Sequence, residues 1–491
     1  MSNLVEIPLW LVILGAGFAI IAFFSHFLFP SVRWFFRRST NEAIDKANQR
    51  LPFKIPNLTL TKRRVLVERL MYDGDVMQAA RAYSDEHAEP MDVTMEKVER
   101  YAKEIIPSFN AKVYFQFGNW LCKKILQLLY RVRVGYAAEE KLSAIPDNSS
   151  IVLVMNHRSN VDYVLVAYLA MKQTALSYAV GEWARVWPIQ PLIKSLGGYF
   201  VRRNSGNPLY RKVLERYVQM AVNGGVVQAV FPEGGLSRDG KFRQPKIGLL
   251  DYMVRDFDKD SERDIVFVPI GLNYDRVLED KNLLSEKKNA VKKSGRAVVF
   301  KTLGFVFKNI YLMLRKRWFR FGYAAANFGE PISLKAYLHN KQWSPNELDR
   351  EERIAKVSEF AEHLIDQIGH VIPVLPVALV SSIFLKNPEK VYSREELTIE
   401  VEALTQALLA KEAHIYVPRK DADYSIDVGL RMLALRRFVT VSGDNAEEIA
   451  KARKKHISLK DKFDLSGLRY QLNPEFLDEL AYYANSIEHL I

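Results

Sequence analysis

The strongest constraint on the fold is an alternation in the middle of the chain. Ile151 to Met155 are apolar without a break and follow the turn residues Asp147 and Asn148. A short run of this kind reads as a buried strand. Val226 to Phe231 and Ile265 to Ile270 repeat the signal, separated by helical stretches such as Tyr163 to Met171 and Pro208 to Val222. Strands and helices alternating at this spacing predict an α/β fold with a largely parallel central sheet flanked by helices. Residues 59 to 134 read as helical, with Val65, Leu66, Leu70 and Met71 on one face and a longer apolar-rich stretch from Val113 to Tyr130. From about Ser333 the pattern is mostly helical again. The expected organisation is an N-terminal anchor over 1–30, a helical region over 31–149, a catalytic α/β domain over 150–335 and a mostly helical region over 336–491.

Ile7 to Phe24 contain no charged residue, and apolar character continues through Phe29. About twenty such residues cross a bilayer core, so a transmembrane helix is expected here. Glu6, His26 and Pro30 fit an uncleaved anchor better than a secretory signal. Arg33, Arg37 and Arg38 follow it, and basic residues flanking a first span stay on the cytoplasmic side, which would leave the remainder of the chain in the cytoplasm. The net charge of +13 over 491 residues calls for an anionic partner. Ser31 to Arg64 carries +7 and Lys281 to Arg320 carries +11, and both windows interleave charge with aromatic residues such as Trp34, Phe35, Phe305 and Trp318. That mixture suits an anionic phospholipid surface rather than nucleic acid. One cysteine, Cys122, excludes an intrachain disulfide framework and a Cys-rich zinc site.

The first strand runs directly into Asn156-His157-Arg158-Ser159-Asn160-Val161-Asp162, after which an apolar helix begins. This puts a histidine at the carboxyl edge of a strand, where open α/β sheets bind ligands, and an aspartate on the first helical turn. Across so tight a turn the carboxylate can take the Nδ1 hydrogen while Nε2 faces solvent, an orientation suited to deprotonating a substrate hydroxyl. Ser159 and Asn160 are both available as the helix N-cap. Three later segments add to the pair. Gly197 to Arg203 brings Arg202 and Arg203 out of a glycine turn, and arginine forks match phosphate oxygens. Phe231 to Arg238 combines Glu233, Gly234 and Gly235 with Ser237 and Arg238, and Val268-Pro269-Ile270-Gly271-Leu272-Asn273-Tyr274-Asp275 closes another strand. Neither metal-ligand spacing nor a dinucleotide loop occurs.

In that order NHRSNVD, GGYFVRR, FPEGGLSR and VPIGLNYD resemble the four blocks of the glycerolipid acyltransferase superfamily, and in detail the bacterial glycerol-3-phosphate acyltransferases. The close resemblance covers 150 to about 335, and a looser one continues through Ile372-Pro373-Val374 to the terminal Tyr482 to His489. It implies His157 as the base, Asp162 as its orienting carboxylate, and Glu233 with Gly234 shaping the site near the reacting carbonyl. It further implies that Arg203, with Arg202, Ser237 and Arg238, holds the acceptor phosphate, that Arg158 and Ser159 belong to the substrate site, and that Pro269 positions the fourth block. Leu236 stands where the family usually has arginine or threonine, which raises the weight on Arg203 and Arg238.

The implied reaction moves a fatty acyl group from acyl-CoA or acyl carrier protein to the sn-1 hydroxyl of glycerol 3-phosphate, with no cofactor beyond the acyl donor. The expected location is the cytoplasmic side of a bacterial inner membrane. Two alternatives fit the same blocks: an acyltransferase acting on 1-acylglycerol 3-phosphate, and a catalytically silent protein that binds anionic lipid.

Overall fold

The computed structural model describes residues 55–171, 173–187, 189–202, 205–288, 321–443 and 467–491, excepting the side chains of Trp183 and 286–288. Among these residues eight strands build the main sheet: β1 (Arg131–Ala137), β2 (Ser150–Met155), β3 (Leu176–Gly181), β4 (Gly198–Val201), β5 (Val227–Val230), β6 (Ile265–Tyr274), β7 (Tyr323–Phe328) and β8 (Ile332–Ser333). Their order is β1-β7-β6-β2-β5-β3-β4, with β8 also paired to β6. From β6 to β4 every pairing is parallel, whereas β7 and β8 meet β6 antiparallel and β1 follows β7. The expected α/β fold with a mostly parallel central sheet is therefore present.

Burial explains the apolar runs. Both β5 and β6 are buried at every position, and β2 at all but one, because helices cover both faces of a parallel sheet. Pro269 interrupts β6 without breaking it. Its ring falls between the β7 and β8 pairings, and its carbonyl accepts the Gly329 amide at 2.8 Å. At the β2 edge the Asn156 amide continues the ladder, donating to Leu272 O at 2.9 Å and accepting from Leu272 N at 2.8 Å.

The N-terminal helices Arg63–Met71, Gly74–His87 and Met91–Ile105 pack on helix Pro208–Asn223. Asp73 caps the second of them, and its carboxylate also receives Arg216 of the fourth. The helical reading of 59 to 134 runs too far, since Arg131–Ala137 leaves that region to form β1 beside β7. Helix Arg350–His370, capped by Asp349, lies against β2 and β6. Helices Pro376–Lys386, Ala422–Leu435 and Leu477–Ala484 pack together, beside an antiparallel three-stranded sheet of β9 (Tyr392–Ser393), β10 (Val439–Ser442) and β11 (Arg469–Leu472). Cys122 is a buried free thiol, pushed up to about 11 by burial.

No helix among the described residues is long and apolar enough to cross a membrane. The expected anchor at Ile7 to Phe24 lies outside the described residues, as do most of the two basic windows.

Candidate active site

His157 leaves the carboxyl end of β2 on a turn that closes on Asp162, in the first turn of helix Val161–Ala170. Its Nδ1 lies 2.9 Å from Asp162 Oδ2. The same oxygen accepts the amides of Arg158 at 2.7 Å and Ser159 at 3.0 Å, and Oδ1 accepts the Tyr274 hydroxyl at 2.6 Å. A carboxylate accepting from all these donors leaves Nδ1 as the proton-bearing nitrogen and Nε2 as the basic one. Phe231 stacks on the imidazole at 4.0 Å, and Tyr163 meets it edge-on at 5.4 Å, so ring rotation is blocked on two sides.

Glu233 holds the turn from beneath. Its Oε1 accepts the His157 amide at 2.9 Å and its Oε2 the Arg243 amide at 3.0 Å, while the Ser237 amide donates to His157 O at 2.9 Å. Burial pushes the Glu233 carboxyl up to about 7, against the two backbone hydrogen bonds. Gly234 needs its positive φ of 63°, and Lys246 packs where a Cβ would stand. Its amide is taken by Phe231 O at 2.9 Å.

His157 and Gly234 line a cavity of about 350 Å3, within the ~300–1,000 Å3 usual for small-molecule sites. Val154, Ala179, Leu214 and Leu249 contribute apolar wall, and Arg202, Arg211 and Lys246 contribute positive charge. The structure thus brings His157, Asp162, Glu233, Gly234 and Arg202 together. Arg202 is already engaged: its Nε and Nη2 donate to Glu104 at 2.9 and 2.6 Å, and its guanidinium lies over Tyr101 and Tyr210. Arg203 lies outside the described residues.

Other residues of the four blocks face elsewhere. Arg158 is 3% exposed, with Nη1 on Gly240 O at 2.5 Å and Nη2 on Tyr482 O at 3.4 Å. Ser159 Oγ donates to Glu279 at 2.7 Å and accepts the Val161 amide at 3.1 Å, so it braces the turn just before the helix, whose N-cap is Asn160. Ser237 Oγ closes its own turn by donating to Lys241 O and accepting the Gly240 amide. Arg238 is exposed, and Pro269 is buried inside the sheet. Neither lines the cavity. Tyr274, Glu279, Arg211 and Lys246 were given no role from the sequence. Tyr274 stood inside the fourth block, but only the β2–β6 pairing shows that its hydroxyl meets Asp162. No group of three or more His, Cys, Asp or Glu side chains suited to a metal ion occurs among the described residues.

Residues 137–273, which hold the parallel strands and this His–Asp turn, match the family model described as acyltransferase. Residues 308–491 match the model described as the glycerol-3-phosphate acyltransferase C-terminal region, so the chain is similar to both models in that order. It is similar to the glycerol-3-phosphate acyltransferase of Xylella fastidiosa (strain M23), with 28% identity over 441 residues, 88% of this chain and 47% of the relative. For that of Pseudomonas aeruginosa (strain UCBPP-PA14) the figures are 29% over 452 residues, 88% and 49%. The chain spans about half the length of the curated relatives it matches. The 1-acyl-sn-glycerophosphate (LPA) acyltransferase of Thermotoga maritima superposes at a TM-score of 0.29 with 18% identity, covering 63% of this chain and 94% of that one, too loosely to bear on fold or function.

Proposed function

We propose that the chain transfers a fatty acyl group from acyl-CoA or acyl carrier protein to the sn-1 hydroxyl of glycerol 3-phosphate. The observation that carries this reading is the His157–Asp162 pair at a cavity with cationic and apolar walls. His157 Nε2 takes the acceptor hydroxyl proton as the oxygen attacks the thioester carbonyl. The tetrahedral oxyanion then collapses, the C–S bond breaks, and the leaving thiolate recovers the proton from His157, so the enzyme ends unchanged. A positioned base of this kind contributes roughly 10²–10⁴-fold.

Arg211 and Lys246, with Arg203 as the sequence blocks suggest, hold the acceptor phosphate, and Arg202 takes part if phosphate competes with Glu104 for it. Arg158 and Ser237 brace the turn. The chain works on the cytoplasmic side of a bacterial inner membrane, held by Ile7 to Phe24 and by its basic windows against anionic lipid. Support among the described residues comes from exposed Phe117 and Trp120, which share a helical surface with exposed Lys123 and Lys124.

Thiol release from acyl-CoA with each acceptor in turn tests the assignment. Glycerol 3-phosphate is expected to support release. Release with 1-acylglycerol 3-phosphate alone would reassign the acceptor, and release with neither would favour a silent lipid-binding protein.

A further inference from the structure

Helix Leu477–Ala484, far along the chain from the catalytic turn, carries two adjacent tyrosines that reach both of its flanks. The Tyr482 hydroxyl donates to Arg158 O at 3.3 Å, its carbonyl accepts Arg158 Nη2, and its ring lies under the Arg158 guanidinium at 4.8 Å. Gly240, the other carbonyl partner of Arg158, has a φ of 90° and lies so close to Tyr482 that a Cβ would strike its carbonyl.

On the opposite flank the Tyr483 hydroxyl donates to Asp280 Oδ2 at 2.5 Å while accepting Arg436 Nη1 at 2.6 Å and the Val277 amide at 3.1 Å. Arg436 Nη2 also reaches Asp280 Oδ2 at 2.5 Å. Asp280 is 4% exposed, so this ion pair is a buried anchor. The residue before it, Glu279, reaches back into the turn: Oε2 accepts Ser159 Oγ at 2.7 Å, and Oε1 accepts Asn160 Nδ2 at 3.1 Å and the Asn160 amide at 3.3 Å. Both oxygens thus act on the two residues that separate the His157-Arg158 step from Val161-Asp162. No step of the reaction above uses Glu279.

Resting on the acyl-transfer reading, we infer that Glu279 is a positioning residue for His157, held in place by the C-terminal helix through Asp280, Tyr483 and Arg436. The carboxylate fixes Ser159 and Asn160, these fix where Asp162 enters its helix, and Asp162 fixes the imidazole. The C-terminal region thereby completes the catalytic turn without touching substrate. Loss of this bracket loosens the Nδ1 hydrogen bond, and misplacement of a reacting group by ~1 Å can cost on the order of 10²-fold in rate.

The test compares the full chain with its Glu279→Gln and Tyr483→Phe variants, using 15N-histidine labelling and thiol release with acyl-CoA and glycerol 3-phosphate. The Nδ1–H resonance of His157 is identified by its loss in His157→Gln. In Glu279→Gln it is expected to shift or broaden, and kcat per folded protein to fall by about 10- to 100-fold with both KM values within about twofold. Tyr483→Phe is expected to move the same resonance less, and it carries the test should Glu279→Gln not fold. A His157 resonance that superposes on the parent in the folded variant overturns the inference. A parent that releases no thiol with glycerol 3-phosphate overturns the acyl-transfer reading instead, and the resonance still decides the positioning role.

Discussion

Asp162 gathers the imidazole of His157, two backbone amides of its own turn and the hydroxyl of Tyr274. Only the last comes from another strand, so Tyr274 ties the orientation of the base to the β2–β6 pairing. A hydrogen bond to a charged group is worth ~1.5–3 kcal/mol. Tyr274→Phe is therefore expected to lower kcat by roughly tenfold while acceptor and donor KM stay near the parent values, read by steady-state thiol release. Unchanged kcat would mean the backbone amides suffice. The His157–Asp162 pair was legible in the sequence because both partners lie within one short turn. Tyr274 and Glu279 were not, because each reaches that turn across a long stretch of chain, and Tyr483 is further removed, bonding Asp280 beside Glu279. Arg158 and Ser237, which the resemblance placed at the substrate, instead bond the carbonyls of Gly240 and Lys241.

The three strands read from apolar runs, at Ile151, Val226 and Ile265, are the central strands β2, β5 and β6, buried on both faces. The strands that escaped notice lack that signature. β1 alternates Arg131-Val132-Arg133-Val134 and is mostly exposed at the sheet edge, so its period of two lies hidden beside an apolar helix that runs up to it. The alanines of β7 bury completely but carry little apolar weight in sequence. In sequence β4 reads as part of a glycine turn. Gly197 does turn, with a φ of 88°, but Gly198–Val201 then pairs with β3. Helix boundaries were read more accurately: Pro208 to Val222 is observed as Pro208–Asn223, with Asn207 as the N-cap and Pro208 in the first turn.

Across the whole molecule, burial raises several carboxyls together. Glu233, Asp275 and Glu279 are each pushed up to about 7, chiefly by removal from water. A carboxyl raised in this way binds a proton on folding, so its contribution to stability falls as pH climbs from the ordinary carboxylate range to about 7 and is level above. His363, His414 and His489 are lowered by burial and work in the opposite direction. Comparing a variant with its parent separates the two. Asp275 accepts the Tyr323 and Val377 amides away from the catalytic turn. The stability margin of the parent over Asp275→Asn, followed as Tm, should widen on acidification from pH 7.5 to 5.5, and a margin that narrows would contradict the raised carboxyl. The central proposal is that this chain transfers an acyl group with His157 as its base. Its most direct test is thiol release from acyl-CoA with glycerol 3-phosphate by the purified parent and by folded His157→Ala. Acceptor-dependent release by the parent, lowered by roughly 10²–10⁴-fold in the variant, is the expected result. Near-parental turnover by His157→Ala would contradict it.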